Sequence, residues 1–195
     1  MPIRFLTILS FVLLASLSCN SATEKLDKDE KDPSKSNVIE EPDPTAAPTS
    51  SADSEIEIYN SFEEFEHLLY KDTDSTYVIN FWATWCKPCV QELPLFEKLT
   101  EMHKDKPYKT ILVSLDFPKQ IESKLIPFIE KNKLKSEVVV LTDKKQQVWI
   151  DKVDKKWDGA IPVTLIYKKD KRKFLYGEVH DFEELNGHVT GLLNL

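Results

Sequence analysis

From Glu55 to the C-terminus, apolar residues follow two rhythms, one of strands and one of helices. The runs "YVINFW" (77–82), "KTILVSLDF" (109–117) and "SEVVVL" (136–141) are nearly continuous and β-rich, as in strands covered on both faces. "EIEIY" (55–59) alternates and predicts a short strand, while "PVTLIYKK" and "RKFLYGEV" predict a hairpin turning around Lys169 to Lys171. Helical spacing fills the gaps. "NSFEEFEHLLY" offers Asn60 or Ser61 as N-cap and spaces Phe62, Phe65, Leu68 and Leu69 along one face. A second helix starts near Cys86 and runs through "VQELPLFEKLTEMHKD", with Pro94 predicted to kink it. "KQIESKLIPFIEKNKL" is a third, bent at Pro127; "KKQQVWIDKVD" and "DFEELNGHVTGLLNL" are the last two. Strand and helix alternate, then a hairpin and a final helix follow, which predicts an α/β domain with a mixed central sheet flanked by helices. Phe81, Trp82, Leu93, Phe96 and Leu99 are assigned to its core, with Trp149 and Trp157 as further packing residues. With four glycines and no glycine-rich loop, the chain has no phosphate cradle.

Before Glu55 the rhythm is different. Arg4 is followed by a charge-free run from Phe5 to Leu17, too short to span a bilayer but suited to the core of an export signal. The run ends at "ASLSC", which resembles a bacterial lipobox and makes Cys19 the candidate lipidated residue, with Ser16 standing where leucine is usual. Plain cleavage before Cys19 is the alternative, and it would leave an odd thiol at the new N-terminus. Residues 20–54 are rich in Ser, Thr, Pro, Asp, Glu and Lys and almost free of large apolar residues, so they read as a disordered tether. A flexible chain of that length reaches roughly 30 Å. The expected organisation is therefore 1–19 export signal, 20–54 tether and 55–195 folded domain outside the cytoplasm.

Charge narrows the possible partners. A net charge of −7 with no basic stripe argues against nucleic acid. The pairs Lys144-Lys145, Lys155-Lys156 and Lys168-Lys169 are interrupted by acidic residues and read as solvated faces.

The candidate chemistry lies in "NFWATWCKPCVQELP" (80–94). Structural zinc needs four ligands, and only Cys86 and Cys89 are paired; His67, His103, His180 and His188 are scattered and read as surface or helix-face residues, so no metal is expected. A static disulfide across two intervening residues closes too short a loop to stabilise the fold much. Thiol-disulfide exchange suits the position. A helix N-terminus stabilises a thiolate through its unpaired amides and dipole, lowering a cysteine pKa from about 8.5 into the range of roughly 3.5–7.5. On this reading Cys86 is the attacking sulfur and faces solvent, and Cys89 resolves the mixed disulfide from deeper in the helix. Lys87 adds positive charge beside the thiolate, and Pro88 suits the first turn, where its missing amide proton has no helical acceptor.

"FWATWCKPC" resembles the active-site stretch of the thioredoxin superfamily, and the following "VQELP" resembles its TlpA/ResA-like group of membrane-tethered, extracytoplasmic thiol-disulfide oxidoreductases. The resemblance covers roughly Glu55 to Leu195 and implies a thioredoxin-like three-layer sandwich needing no cofactor. It also implies a redox-active Cys86–Cys89 disulfide. "GAIPVTLIY" resembles the family's cis-proline loop, which would make Ile161-Pro162 the cis bond and leave the Ile161 backbone free to pair with an extended substrate. Trp85 resembles the family tryptophan that shields the disulfide and faces partners. Asn80 stands where thioredoxin has a buried aspartate, and an amide cannot accept the resolving cysteine's proton. Glu92 matches a glutamate near the active site of ResA-like proteins, as proton acceptor for Cys89 or tuner of the thiols; the alternative is a residue on an exposed helix face.

The resemblance further implies a reductase recharged by a transmembrane thiol donor and acting on oxidised client proteins. In that family the clients include apocytochromes awaiting haem and copper-site proteins. Disulfide formation is the opposite direction, and Lys87-Pro88 differs from the histidine-bearing dipeptide of dedicated oxidases. Two non-enzymatic readings stay open: a Cu(I)-delivery module using the same two sulfurs, and a holdase using the cleft.

Overall fold

The computed structural model describes residues 56–195, so the export signal, Cys19 and the tether lie outside the described residues. The chain forms β1 (Glu57–Tyr59), α1 (Phe62–Phe65), β2 (Thr76–Trp82), α2 (Lys87–Met102), β3 (Tyr108–Ser114), α3 (Ile126–Asn132), β4 (Glu137–Leu141), α4 (Gln146–Val153), β5 (Val163–Lys168), β6 (Lys171–Tyr176) and α5 (Phe182–Leu193). The six strands make one sheet in the order β1-β4-β3-β2-β5-β6. β1, β4, β3 and β2 run parallel, and β5 and β6 add antiparallel to β2. This is the thioredoxin-like mixed sheet.

Alternation along the strands separates two cores. Ile79, Phe81, Ile111, Val113, Val163 and Leu165 face α1 and α4, where Phe62 stacks on Trp149 and Phe81 meets Trp157. Val78, Trp82, Leu112, Val140 and Ile166 face α2, α3 and α5. β2 is buried along its whole length, consistent with its unbroken apolar sequence. Since side chains alternate, Asn80 shares the α2 side with Val78 and Trp82. That parity brings Asn80 within reach of the helix that carries the cysteines.

Two segments depart from the expected regularity, and one residue from its expected exposure. The helix predicted across 60–70 is one α turn followed by a tighter 3₁₀ turn, Glu66–Leu69. The change frees two carbonyls: Leu68 O accepts from the Tyr167 hydroxyl (2.6 Å) and Leu69 O from Arg172 (2.7 Å). Ser61 is the N-cap, accepting from Glu64 N–H (3.4 Å), while Glu64 accepts in return from Asn60 N–H (3.0 Å). The predicted 119–134 helix is built from a 3₁₀ turn (Pro118–Gln120), a wide π turn (Ile121–Leu125) and α3. Pro127 lies in the first turn of α3 and has no N–H to donate, so the regular ladder cannot extend back through it, and Ile126 N–H bonds Ile121 O instead. His103, read as a surface or helix-face residue, is buried at the end of α2, where Nε2 meets Asn186 Oδ1 at 2.8 Å. The hairpin turns on Lys169 and Asp170, with Lys168 paired to Lys171 and Lys169 at φ 53°.

Candidate active site

β2 delivers the loop Ala83–Trp85 to the N-terminus of α2, where Cys86 is the N-cap. Its N–H bonds Ala83 O (3.1 Å), and its Sγ accepts from Cys89 N–H (3.3 Å), in the place a capping oxygen would take. The first turn carries no acidic residue, so nothing in it opposes the positive end of the helix. Cys86 and Cys89 form a disulfide with S–S 2.00 Å and Cα–Cα 5.3 Å. Cys89 is fully buried. Cys86, expected to face solvent, is only 6% exposed. The reason is geometric: in the disulfide its sulfur turns back onto the first-turn amide and lies 3.8 Å from the Ile161 carbonyl. Ile161 and Pro162 join through a cis peptide bond ahead of β5, bringing that loop against the disulfide. Lys87 and Trp85 are exposed and Pro88 half-buried. The helix continues through Pro94 to Met102.

Behind the sulfurs lies a buried polar cluster. Glu92, one turn after Cys89 on the same helix face, is 1% exposed, which removes the exposed-face alternative. Its Oε1 accepts from Asn80 Nδ2 (2.8 Å) and its Oε2 from Val179 N–H (2.7 Å). Asn80 Nδ2 also donates to Thr164 Oγ1 (3.1 Å), its cross-strand partner on β5. Burial pushes the Glu92 carboxyl up to about 7, against the lowering effect of its bonds from Val179 and Asn80; Glu178 adds to the rise. A carboxyl with a pKa near neutrality is suited to take up or give up a proton at that pH.

The cluster includes groups that sequence reasoning did not assign. Asn80 was read only as a missing acceptor, whereas it donates to Glu92. Thr164 has no role in the sequence reading, and neither has Asp116, a buried carboxyl outside this cluster that accepts from Thr84 and Ser114. The available signal was a polar residue inside an apolar run: Asn80 in "YVINFW", Thr164 in "PVTLIY" and Asp116 in "ILVSLDF". Val179 contributes only its backbone, which leaves no mark in the sequence.

The profile of the AhpC/TSA family matches residues 47–172. Among curated proteins, the thiol-disulfide oxidoreductase ResA of Geobacillus thermodenitrificans is 27% identical over 136 residues, covering 69% of this chain and 73% of that protein. The sporulation thiol-disulfide oxidoreductase A of Bacillus subtilis is 33% identical over 63 residues, covering 32% of this chain and 38% of that protein. Among solved structures, a thioredoxin-related protein from Neisseria meningitidis serogroup B superposes with a TM-score of 0.52 at 21% identity, covering 62% of this chain and 86% of that one. A thioredoxin-family thiol:disulfide interchange protein from Chlorobium tepidum gives 0.52 at 16% identity, covering 62% and 81%. These superpositions speak to the fold, whereas the family profile spans well over half of the chain. The protein belongs to the AhpC/TSA family, among its thioredoxin-like thiol-disulfide oxidoreductases.

Proposed function

We propose that this oxidoreductase works outside the cytoplasm in the reducing direction, on disulfides of client proteins, and is recharged by a membrane thiol donor. The observation that carries this reading is the buried Cys89–Glu92 turn behind a disulfide that caps a helix. The reduced protein begins with a Cys86 thiolate. It attacks a client disulfide, forming a Cys86–client bond and releasing the other client sulfur as a thiolate, which takes a proton from water. Glu92 accepts the proton of Cys89. The Cys89 thiolate then attacks Cys86 Sγ and expels the second client sulfur, so two electrons pass to the client and the Cys86–Cys89 disulfide remains. A donor dithiol reverses that last state by the same two exchanges.

The N-terminal segment supports the location: an export-type apolar run, then Cys19 as lipid site and a tether that would hold the domain at a membrane. No helix among the described residues is long and apolar enough to cross one. Apocytochromes and copper-site proteins remain the proposed client classes.

The test is trapping. A Cys89→Ser variant expressed in the source cell accumulates Cys86–client mixed disulfides, released by dithiothreitol and identified by mass. A Cys86→Ser variant gives none. Equal capture by both variants would refute the role of Cys86, and tight Cu(I) binding by a dithiol that does not reduce insulin would replace this reading with the copper carrier.

A further inference from the structure

Two large aromatic side chains remain in solvent beside the disulfide, and buried polar groups hold their backbones in place. Trp85, directly before Cys86, is 51% exposed; Phe117 is 59% exposed, and the rings stack with centroids 6.1 Å apart at 19°. Single exposed apolar residues are ordinary, but a stacked pair next to a reactive sulfur forms a patch. Leu115 N–H donates to Trp82 O (2.8 Å), carrying the β2–β3 ladder past its end. Asp116 follows and is buried. Its Oδ2 accepts from Thr84 N–H (2.9 Å) and the Ser114 hydroxyl (2.8 Å), and its Oδ1 from the Thr84 hydroxyl (2.5 Å). A buried carboxylate is tolerated when donors supply its oxygens, and two of these three come from the loop that leads into Cys86. On the other side, Pro118 confines Phe117 to the extended backbone it adopts, φ −65° and ψ 145°. The Phe117 main chain is thus fixed from both ends while its ring stays free.

We propose that Phe117, stacked with Trp85, determines client specificity: the pair receives an aromatic or large apolar side chain next to the client's reactive cysteine. This deepens, and rests on, the thiol-exchange reading above. The mixed disulfide fixes the location. Once a client sulfur is bonded to Cys86, the residue next to the client cysteine lies one residue's span, ~3.3 Å, along the client chain from that anchor, and Trp85 directly precedes Cys86. Lys87 and Lys119, both exposed, flank the aromatic pair in the chain, so a basic neighbour is the poorer occupant.

The experiment uses peptides whose single cysteine is a mixed disulfide with thionitrobenzoate, followed by Phe, Ser or Lys. Prereduced protein supplies the electrons: Cys86 bonds to the peptide sulfur, coloured thionitrobenzoate leaves, and Cys89 then releases the peptide thiolate. The wild type is expected to discharge the Phe peptide about tenfold faster than the Lys peptide, as expected of one favourable aromatic contact. Phe117→Ala brings that ratio to within about twofold of unity, while 2-mercaptoethanol thionitrobenzoate is discharged at close to the wild-type rate; Phe117→Trp restores the ratio. A Phe117→Ala variant that keeps the discrimination, or loses rate equally on every substrate, overturns the inference, as does a wild type with no preference. A wild type no faster than Cys86→Ser on the mercaptoethanol compound instead overturns the thiol-exchange reading beneath it.

Discussion

Glu92→Gln removes a carboxyl that burial holds near pKa 7, and its effect on stability has a definite sign. The folded state keeps the Glu92 proton that an unfolded chain gives up at an ordinary value of 4.5. Between those values the native state binds more protons than the unfolded state, so stability falls as pH rises. The penalty is absent below about pH 4.5, grows through the interval and is complete above about pH 7. At about 1.4 kcal/mol per pKa unit, it amounts to on the order of 3 kcal/mol. Glutamine avoids this because it does not ionise. It also fits the hydrogen bonds: its oxygen keeps the bond from Val179 N–H, and its amide can donate to Asn80 if Asn80 flips. After the flip Asn80 Oδ1, buried without a partner in the wild type, accepts from the new amide and from the Thr164 hydroxyl, while Asn80 Nδ2 gives up its two acceptors. Urea unfolding of the oxidised wild type and Glu92→Gln, from about pH 4.5 to about pH 8, isolates the effect, because other titrating groups cancel in the difference. The wild type should lose about 3 kcal/mol relative to the variant as pH rises. A flat difference across that interval would refute the argument that the carboxyl is held protonated by burial.

Two further substitutions probe the frame. Thr84→Val keeps the shape but removes the hydroxyl bond to Asp116, leaving a buried carboxylate short of a donor. It should lower the urea midpoint by the equivalent of about 1–3 kcal/mol with the slope unchanged. Trp149→Ala empties the aromatic cluster in which Trp149 stacks on Phe62 (5.4 Å) and meets Trp157 edge-on (5.7 Å). A loss of about 3–5 kcal/mol is expected by the same measurement, with little change in thiol exchange in the protein that remains folded.

Central strands were legible because their covering leaves no polar alternative: "YVINFW" and "SEVVVL" hold few residues that tolerate water. The hairpin was legible from its Lys-Asp-Lys break, and the cysteine pair from its place between a buried strand and a helix. What the sequence hides is hydrogen-bond geometry. Apolar spacing through Ile121, Leu125 and Phe128 suits an α-helix and a π turn alike, and Pro127 only shows where the ladder must change. Asn80 looked like a lost acid until the alternation of β2 and the β5 register brought it to Glu92 and Thr164. Cys86 looked exposed because helix N-termini usually are, whereas closing the disulfide turns its sulfur inward.

The central claim is that reduction frees the Cys86 sulfur as an acidified nucleophile at the α2 N-terminus while Cys89 stays enclosed. Site-resolved alkylation of the reduced protein with iodoacetamide, from about pH 5 to about pH 10, tests it most directly. Cys86 should react with a midpoint well below the free-thiol value of about 8.5, and far faster than Cys89 at neutral pH. Equal, slow labelling of both cysteines, with midpoints at or above about 8.5, would contradict the account.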